Sequence, residues 1–357
     1  MEQFINVLDN DMKEILNLLK HGGSKSKRIE LLQDYYTLQD IYDELGIKNV
    51  SKLEDYTHKK IDKRELFKYF ERTFYPMFYS DFAKNQNIYF DLSQLLYELS
   101  SKYIINEESI HKSIFKNKIN ISKSISLSLD FLSQYDLKIY NILIKLIKDN
   151  RLFYKENAIS NYYGISHGIA NNSKLFIIMN LGLNINDSIT LVHEAGHIYD
   201  FDKIKTNSTK INRTSILVTS CIEIFSNYLE LVYKNYLRSQ KIYLEDLDTS
   251  DKQDIQTLLI RARNLYKNLY YDINVFDIDV YKCNLSEVLG KLCSLYYYEI
   301  YLEDQEKAKY YTNLLLENKG LYDNIKTLEK SGIKIDELLD YDEIEKRIQK
   351  IYVKLSD

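Results

Sequence analysis

His193, Glu194 and His197 stand in the run His193-Glu194-Ala195-Gly196-His197, an HExxH motif. Four residues of α-helix turn through about 400°, so the two imidazoles would lie roughly 40° apart, one turn above each other. Two neutral imidazoles held in that way can share one tetrahedral Zn²⁺. The glutamate between them can reach a water on the open metal position. This spacing therefore predicts a reaction as well as a ligand: metal-assisted hydrolysis of an amide bond, with Glu194 as the proton carrier. The chain has only six histidines. The alternative reading is a surface helix that carries two of them by chance.

The surrounding residues must make that helix. Asn184, Asn186, Asp187 and Ser188 supply cap-type side chains just before the apolar run of Ile189, Leu191 and Val192. Ile189, Val192, Ala195, Gly196 and Tyr199 then recur at helical spacing and predict a buried stripe. Upstream, Leu175 to Leu181 is a short apolar run ended by Gly182 and reads as a strand, so one small sheet precedes the metal helix. Asn161 to Ser173, rich in Gly, Asn and Ser, reads as a loop or bent edge segment.

A catalytic zinc usually has three protein ligands and an open corner. One extended form of the motif needs a glycine at 200 and a histidine at 203. Here Asp200 and Lys203 exclude it, and no histidine follows His197. The third ligand is then a carboxylate or, less readily, a cysteine. Glu223 is the first choice. It shares a polar helix face with Ser226, Asn227 and Glu230, opposite Ile222, Phe225 and Leu229. Such a face can also be merely solvated, and Asp200, Asp202 and Glu230 stay open as rivals. Cys221 reads as a core thiol. His21, His58, His111 and His167 read as surface or packed residues rather than ligands.

Composition narrows the class. The chain has 357 residues, one proline (Pro76) and ten glycines, so long helices are expected. Net charge is −4 with both signs mixed along the chain, unlike a nucleic-acid stripe or a membrane-binding face. The acidic start, with Glu2, Asp9, Asp11 and Glu14, is unlike a signal peptide, and no stretch is apolar enough to span a bilayer. Cys221, Cys283 and Cys293 are odd in number and suggest free thiols in a reducing cytoplasm.

Breaks are expected at residues 21–24 and 45–47. Helical patterns cover 91–103 and 121–147, the second interrupted near Gln134-Tyr135-Asp136. Further helices are expected over about 213–240, 251–271, 284–303, 304–318 and 336–355.

Three segments resemble the thimet oligopeptidase and oligoendopeptidase F metallopeptidases, the second branch more closely. Asn180-Leu181-Gly182, followed by Asp187 to His197, resembles that branch's strand, loop and "TLAHELGH" helix. Glu223 to Glu230 resembles its "EVASTFNE" helix, whose first glutamate is the third zinc ligand; the likeness so favours Glu223. Leu132 to Gly168 resembles the segment leading to a Gly- and Ser-containing turn, and Leu314 to Ile335 loosely resembles a closing helix. The resemblance covers roughly residues 85–335. It implies an N-terminal helical region over 1–84 and a catalytic domain over 85–357.

The family implies a mainly α, two-lobed fold with a central channel and a small β-sheet beside the HExxH helix. It implies one Zn²⁺ per chain, held by His193, His197 and Glu223, and short unfolded peptides as substrate. Neither nucleic acid nor membrane is an implied partner. Family members are usually longer at the N-terminus, so the channel is either more open here or completed by a second subunit in a homo-oligomer. The family also stabilises the oxyanion with a histidine and tyrosines. Asn274 to Gly290 has no histidine and a single tyrosine, Tyr281, which is the candidate for that role or equally a core residue. A metal-retaining peptide-binding protein with little turnover, or a processing peptidase for one partner peptide, are the alternative readings.

Overall fold

The computed structural model describes residues 2–21, 24–47, 63–102, 115–156, 164–169, 173–206, 220–270 and 278–352. Among these residues helix dominates, with one three-stranded sheet. In chain order the elements are α1 (Glu2–His21), α2 (Lys25–Glu44), α3 (Lys63–Ser101), α4 (Ile121–Tyr135) and α5 (Leu137–Lys148). The strands β1 (Leu152–Glu156), β2 (Gly164–Ile169) and β3 (Lys174–Leu181) come next, then α6 (Ile185–Thr206). After it come α7 (Ile222–Ser239), α8 (Leu244–Tyr270), α9 (Ile278–Glu303), α10 (Gln305–Asn318), α11 (Asn324–Lys330), α12 (Ile335–Leu338) and α13 (Tyr341–Tyr352).

The chain forms two compact units. One comprises Met1–Pro76 and Asn120–Ser208, the other Met77–Ile119 and Thr209–Asp357. Each is built from two separate chain segments.

In the first unit the strand order is β1-β3-β2, with β1 parallel and β2 antiparallel to β3. β3 is central, and Leu175 to Met179 are all buried; a strand covered on both faces reads as an unbroken apolar run. Phe153, Ile169, Phe176 and Ile178 pack with Phe4, Leu8, Met12, Leu32 and Leu38 of the α1–α2 pair. Strand alternation turns the other residues of β2 and β3 toward α6. α4 and α5 also pack on α6. The expected break near Gln134-Tyr135-Asp136 is present. Asp136 ends α4 and caps α5, its Oδ1 accepting the Lys138 N–H at 2.8 Å.

The second unit is helical throughout its described residues. α7 lies against α9. Tyr228 of α7 meets Tyr297 of α9 edge-on, ring centroids 6.3 Å apart. Tyr296, Tyr297 and Tyr298 are all buried. Lys234 is wholly buried and takes its ion pairs from Glu230, Asp251 and Asp254, with Lys291 shared onto Asp254.

Of the segment expected as a loop or bent edge segment, residues 164–169 form the edge strand β2, because six residues pair in register with β3 despite two glycines and a serine. One expectation needs correction. The C-terminal helix expected over 336–355 is split into α12 and α13. The early part of the 213–240 helix, the ends at 271 and 353–355, and residues 161–163 and 170–172 lie outside the described residues.

Candidate metal centre

α6 carries the HExxH residues. Its start is held by side chains: Asn184 Oδ1 accepts the Asn186 N–H at 2.9 Å, and Asp187 Oδ1 accepts the Gly182 N–H at 2.8 Å. Burial pushes the Asp187 carboxyl up against the opposing pull of the Gly182, Leu183 and Asn184 N–H groups. The predicted stripe is buried, with Ile189, Val192, Ala195 and Tyr199 at 4% exposure or less. A helix anchored this way presents His193 and His197 with their Nε2 atoms 3.2 Å apart and their rings nearly perpendicular at 77°. Two ring nitrogens aimed at a common point are what bidentate capture of one cation by an i, i+4 pair requires.

Glu194, between the two histidines in sequence, is 5% exposed. The Ser166 hydroxyl on β2 donates to its Oε2 at 2.6 Å, and Ser166 Oγ also stands 3.1 Å from the Glu194 carbonyl oxygen. Gly164, two residues earlier on the same face of β2, lies against the same helix. A Cβ built there would stand 2.6 Å from Thr190 Cγ2 and 2.8 Å from Glu194 Oε1. Sequence reasoning missed both residues. Their signal was an alternating Gly-x-Ser beside an HExxH helix, hidden by the loop-like composition of the segment.

Glu223 lies in the first turn of α7, where the helix dipole favours a carboxylate. Its own backbone carbonyl accepts the Asn227 Nδ2–H at 2.8 Å. Gly290 of α9 faces it closely; a Cβ there would come within 2.5 Å of the Glu223 Cβ and 2.8 Å of Asn227 Nδ2. The chain entering α7 is fixed by Asn324, whose Oδ1 accepts the Ser220 N–H at 3.0 Å. Asn324 is itself held by Asp81, which accepts its backbone N–H and its Nδ2–H at 2.9 Å each, while Tyr89 donates to the same carboxylate at 2.7 Å. Cys221 is fully buried beside Asn324, in agreement with a core thiol.

One ligand atom from each of His193, His197 and Glu223 lies within 4.8 Å of the other two. Two imidazole nitrogens and a carboxylate oxygen are a donor set that suits zinc. The rivals are placed otherwise. Glu230 is occupied by Lys234 at 3.0 Å and Lys291 at 3.8 Å. Asp200 and Asp202 fall outside the group that could hold an ion among the described residues. His167 sits on β2 opposite Phe176, and His21 ends α1. His58 and His111 lie outside the described residues.

Tyr281 has no exposed surface. Its ring meets Phe82 edge-on, centroids 5.3 Å apart, and burial followed by the charge of Asp81 pushes its hydroxyl far above the usual phenol range.

A mainly α fold with a small sheet beside the motif helix is the fold of helical peptidases. Solved structures share it, among them the following three. The chain is 13% identical to a "putative oligoendopeptidase F" from Bacillus anthracis str. Ames, over 98% of this chain and 69% of that one, with a TM-score of 0.57. It is 16% identical to a "putative peptidase" from Chlamydophila abortus, over 78% of this chain, with a TM-score of 0.55; the match spans 57% of that protein's length. With PZ peptidase A bound to an inhibitor the TM-score is 0.51 at 12% identity, over 93% of this chain and 66% of that one. At these identities the likeness is one of fold. No family model matches the sequence, and no curated protein matches it.

Proposed function

We propose that this chain is a zinc-dependent oligopeptidase of the oligoendopeptidase F type, hydrolysing short unfolded peptides. The observation that carries the reading is the mutual approach of one ligand atom each from His193, His197 and Glu223, within 4.8 Å. The fold shared with peptidases supports it.

A zinc ion held by these three residues would polarise the scissile carbonyl and lower the pKa of its water. Glu194, between the two histidines and screened from solvent, is the general base that takes the proton of the attacking water and returns it to the leaving amine. β2 is an edge of the sheet and lies against α6. A peptide adding to its outer side would be held by main-chain hydrogen bonds, which gives loose sequence preference. Tyr281 drops out of this reading, because a ring with no exposed surface has no path to a substrate.

That same enclosure favours a second reading, a metal-retaining peptide-binding protein with little turnover. One experiment separates the two. Bound zinc is measured on the purified protein, and a mixed peptide library is incubated with and without chelator, beside Glu194→Gln. The expected result is about one zinc per chain and chelator-sensitive cleavage that Glu194→Gln reduces at least about 10²-fold with the metal retained. Cleavage that survives the substitution removes Glu194 from the mechanism. Metal without cleavage selects the binding protein.

A further inference from the structure

We propose that Ser166 is a positioning residue for the general base, working with Gly164 on the same face of β2; this rests on the peptidase reading above. Two independent observations meet at the Glu194 carboxylate. The Ser166 hydroxyl donates to Oε2 at 2.6 Å, and this contact is shorter than its approach to the Glu194 carbonyl at 3.1 Å. The single hydroxyl proton therefore goes to the carboxylate. On the other side, the missing side chain of Gly164 leaves the space beside Oε1, since a Cβ would stand 2.8 Å from that oxygen and 2.9 Å from Glu194 Cγ.

The two oxygens are thus treated differently by one strand. Oε2 is tied by a charge-assisted hydrogen bond, which fixes the rotation of the carboxylate about its last bond. Oε1 keeps room for the proton it must accept. The period of two along a strand puts residues 164 and 166 on one face, and pairing of Gly164 with Met179 and Ser166 with Ile177 locks their height along α6. A glutamate on a helix alone would sample several rotamers. A base displaced by about 1 Å can lose roughly 10²-fold in rate.

The test uses the full chain with Ser166→Ala, Ser166→Thr and Glu194→Gln. Steady-state peptide cleavage is measured with bound metal and melting temperature. Isotope-edited infrared spectra of the metal-free proteins follow the Glu194 carboxylate stretch, assigned by its loss in Glu194→Gln. Ser166→Ala is expected to lower kcat by about 10- to 100-fold, with KM within twofold and metal content unchanged, and to shift the Glu194 band. Ser166→Thr, which keeps the hydroxyl on a residue suited to strands, is expected to restore most of kcat and the original band position.

An unchanged kcat or an unshifted band in Ser166→Ala overturns the proposal. So does a loss that Thr fails to rescue, or one that tracks a matching loss of metal or melting temperature, since these describe a merely structural contact. Failure of the parent reading looks different: a wild-type chain that cleaves nothing, or a Glu194→Gln chain that cleaves normally, removes the peptidase and this role with it. A wild type that cleaves, a dead Glu194→Gln and a normal Ser166→Ala remove only the role of Ser166.

Discussion

At the residue scale, the division of labour among acidic side chains rests on what surrounds each one. Glu223 and Glu230 share a helix, the first being the preferred third ligand in the sequence and the second a rival. Lys234 and Lys291 occupy Glu230, whereas Glu223 belongs to the group that could hold an ion. The two should respond oppositely to truncation. Glu223→Ala is expected to drop bound zinc well below one per chain with little change in denaturant midpoint. Glu230→Ala is expected to keep the zinc and lose stability, because Lys234 would stay buried with one partner fewer. Parallel zinc titration and urea unfolding of both variants check this, and zinc loss from Glu230→Ala alone would reverse the assignment. Tyr281 teaches the complementary point: a residue type suited to oxyanion binding is useless for it when its whole surface is packed.

Elements decide where these residues stand. α6 is a helix because cap residues and an apolar stripe agree despite Gly196 inside it, and both were legible in the sequence. β2 was only half legible, as a loop or bent edge segment, because its small residues read as turn chemistry while they allow close approach to α6. The same logic applies between α7 and α9. Gly290 lets α9 approach the turn that carries Glu223, and any Cβ there would meet the Glu223 Cβ at 2.5 Å. Gly290→Ala should therefore push the first turn of α7 aside, costing about 1–3 kcal/mol by overpacking. Zinc affinity should fall together with stability. A variant that binds zinc as tightly as wild type would mean that α7 absorbs the methyl without moving Glu223.

For the whole molecule, each compact unit is assembled from two chain segments, so long-range packing rather than sequence neighbourhood defines it. In the second unit the ionic network around Lys234 illustrates what such packing demands. Lys234 has no exposed surface and faces Glu230, Asp251 and Asp254; burial pulls its ammonium down, but these carboxylates outweigh burial and hold it charged. Replacing it with the similarly shaped methionine leaves those carboxylates short of a cation. Lys234→Met is expected to cost about 3–5 kcal/mol in a urea unfolding experiment. A loss under about 1 kcal/mol would show that solvent or neighbouring cations readily compensate. Among the described residues no helix is long and apolar enough to cross a membrane.

By itself the sequence determined the chemistry that can be attempted: an i, i+4 histidine pair with a glutamate between them needs only helical periodicity, which is local and therefore readable. It also determined the helical class, through the scarcity of proline and glycine, and the central strand, through its apolar run. Tertiary structure alone decided that lysines occupy the rival Glu230, that a glycine- and serine-bearing segment is a strand whose serine bonds Glu194, and that Tyr281 is enclosed. Those outcomes depend on neighbours between 28 and 60 or more residues away in sequence, as Ser166 is from Glu194 and Gly290 from Glu223, and no local pattern encodes such a distance.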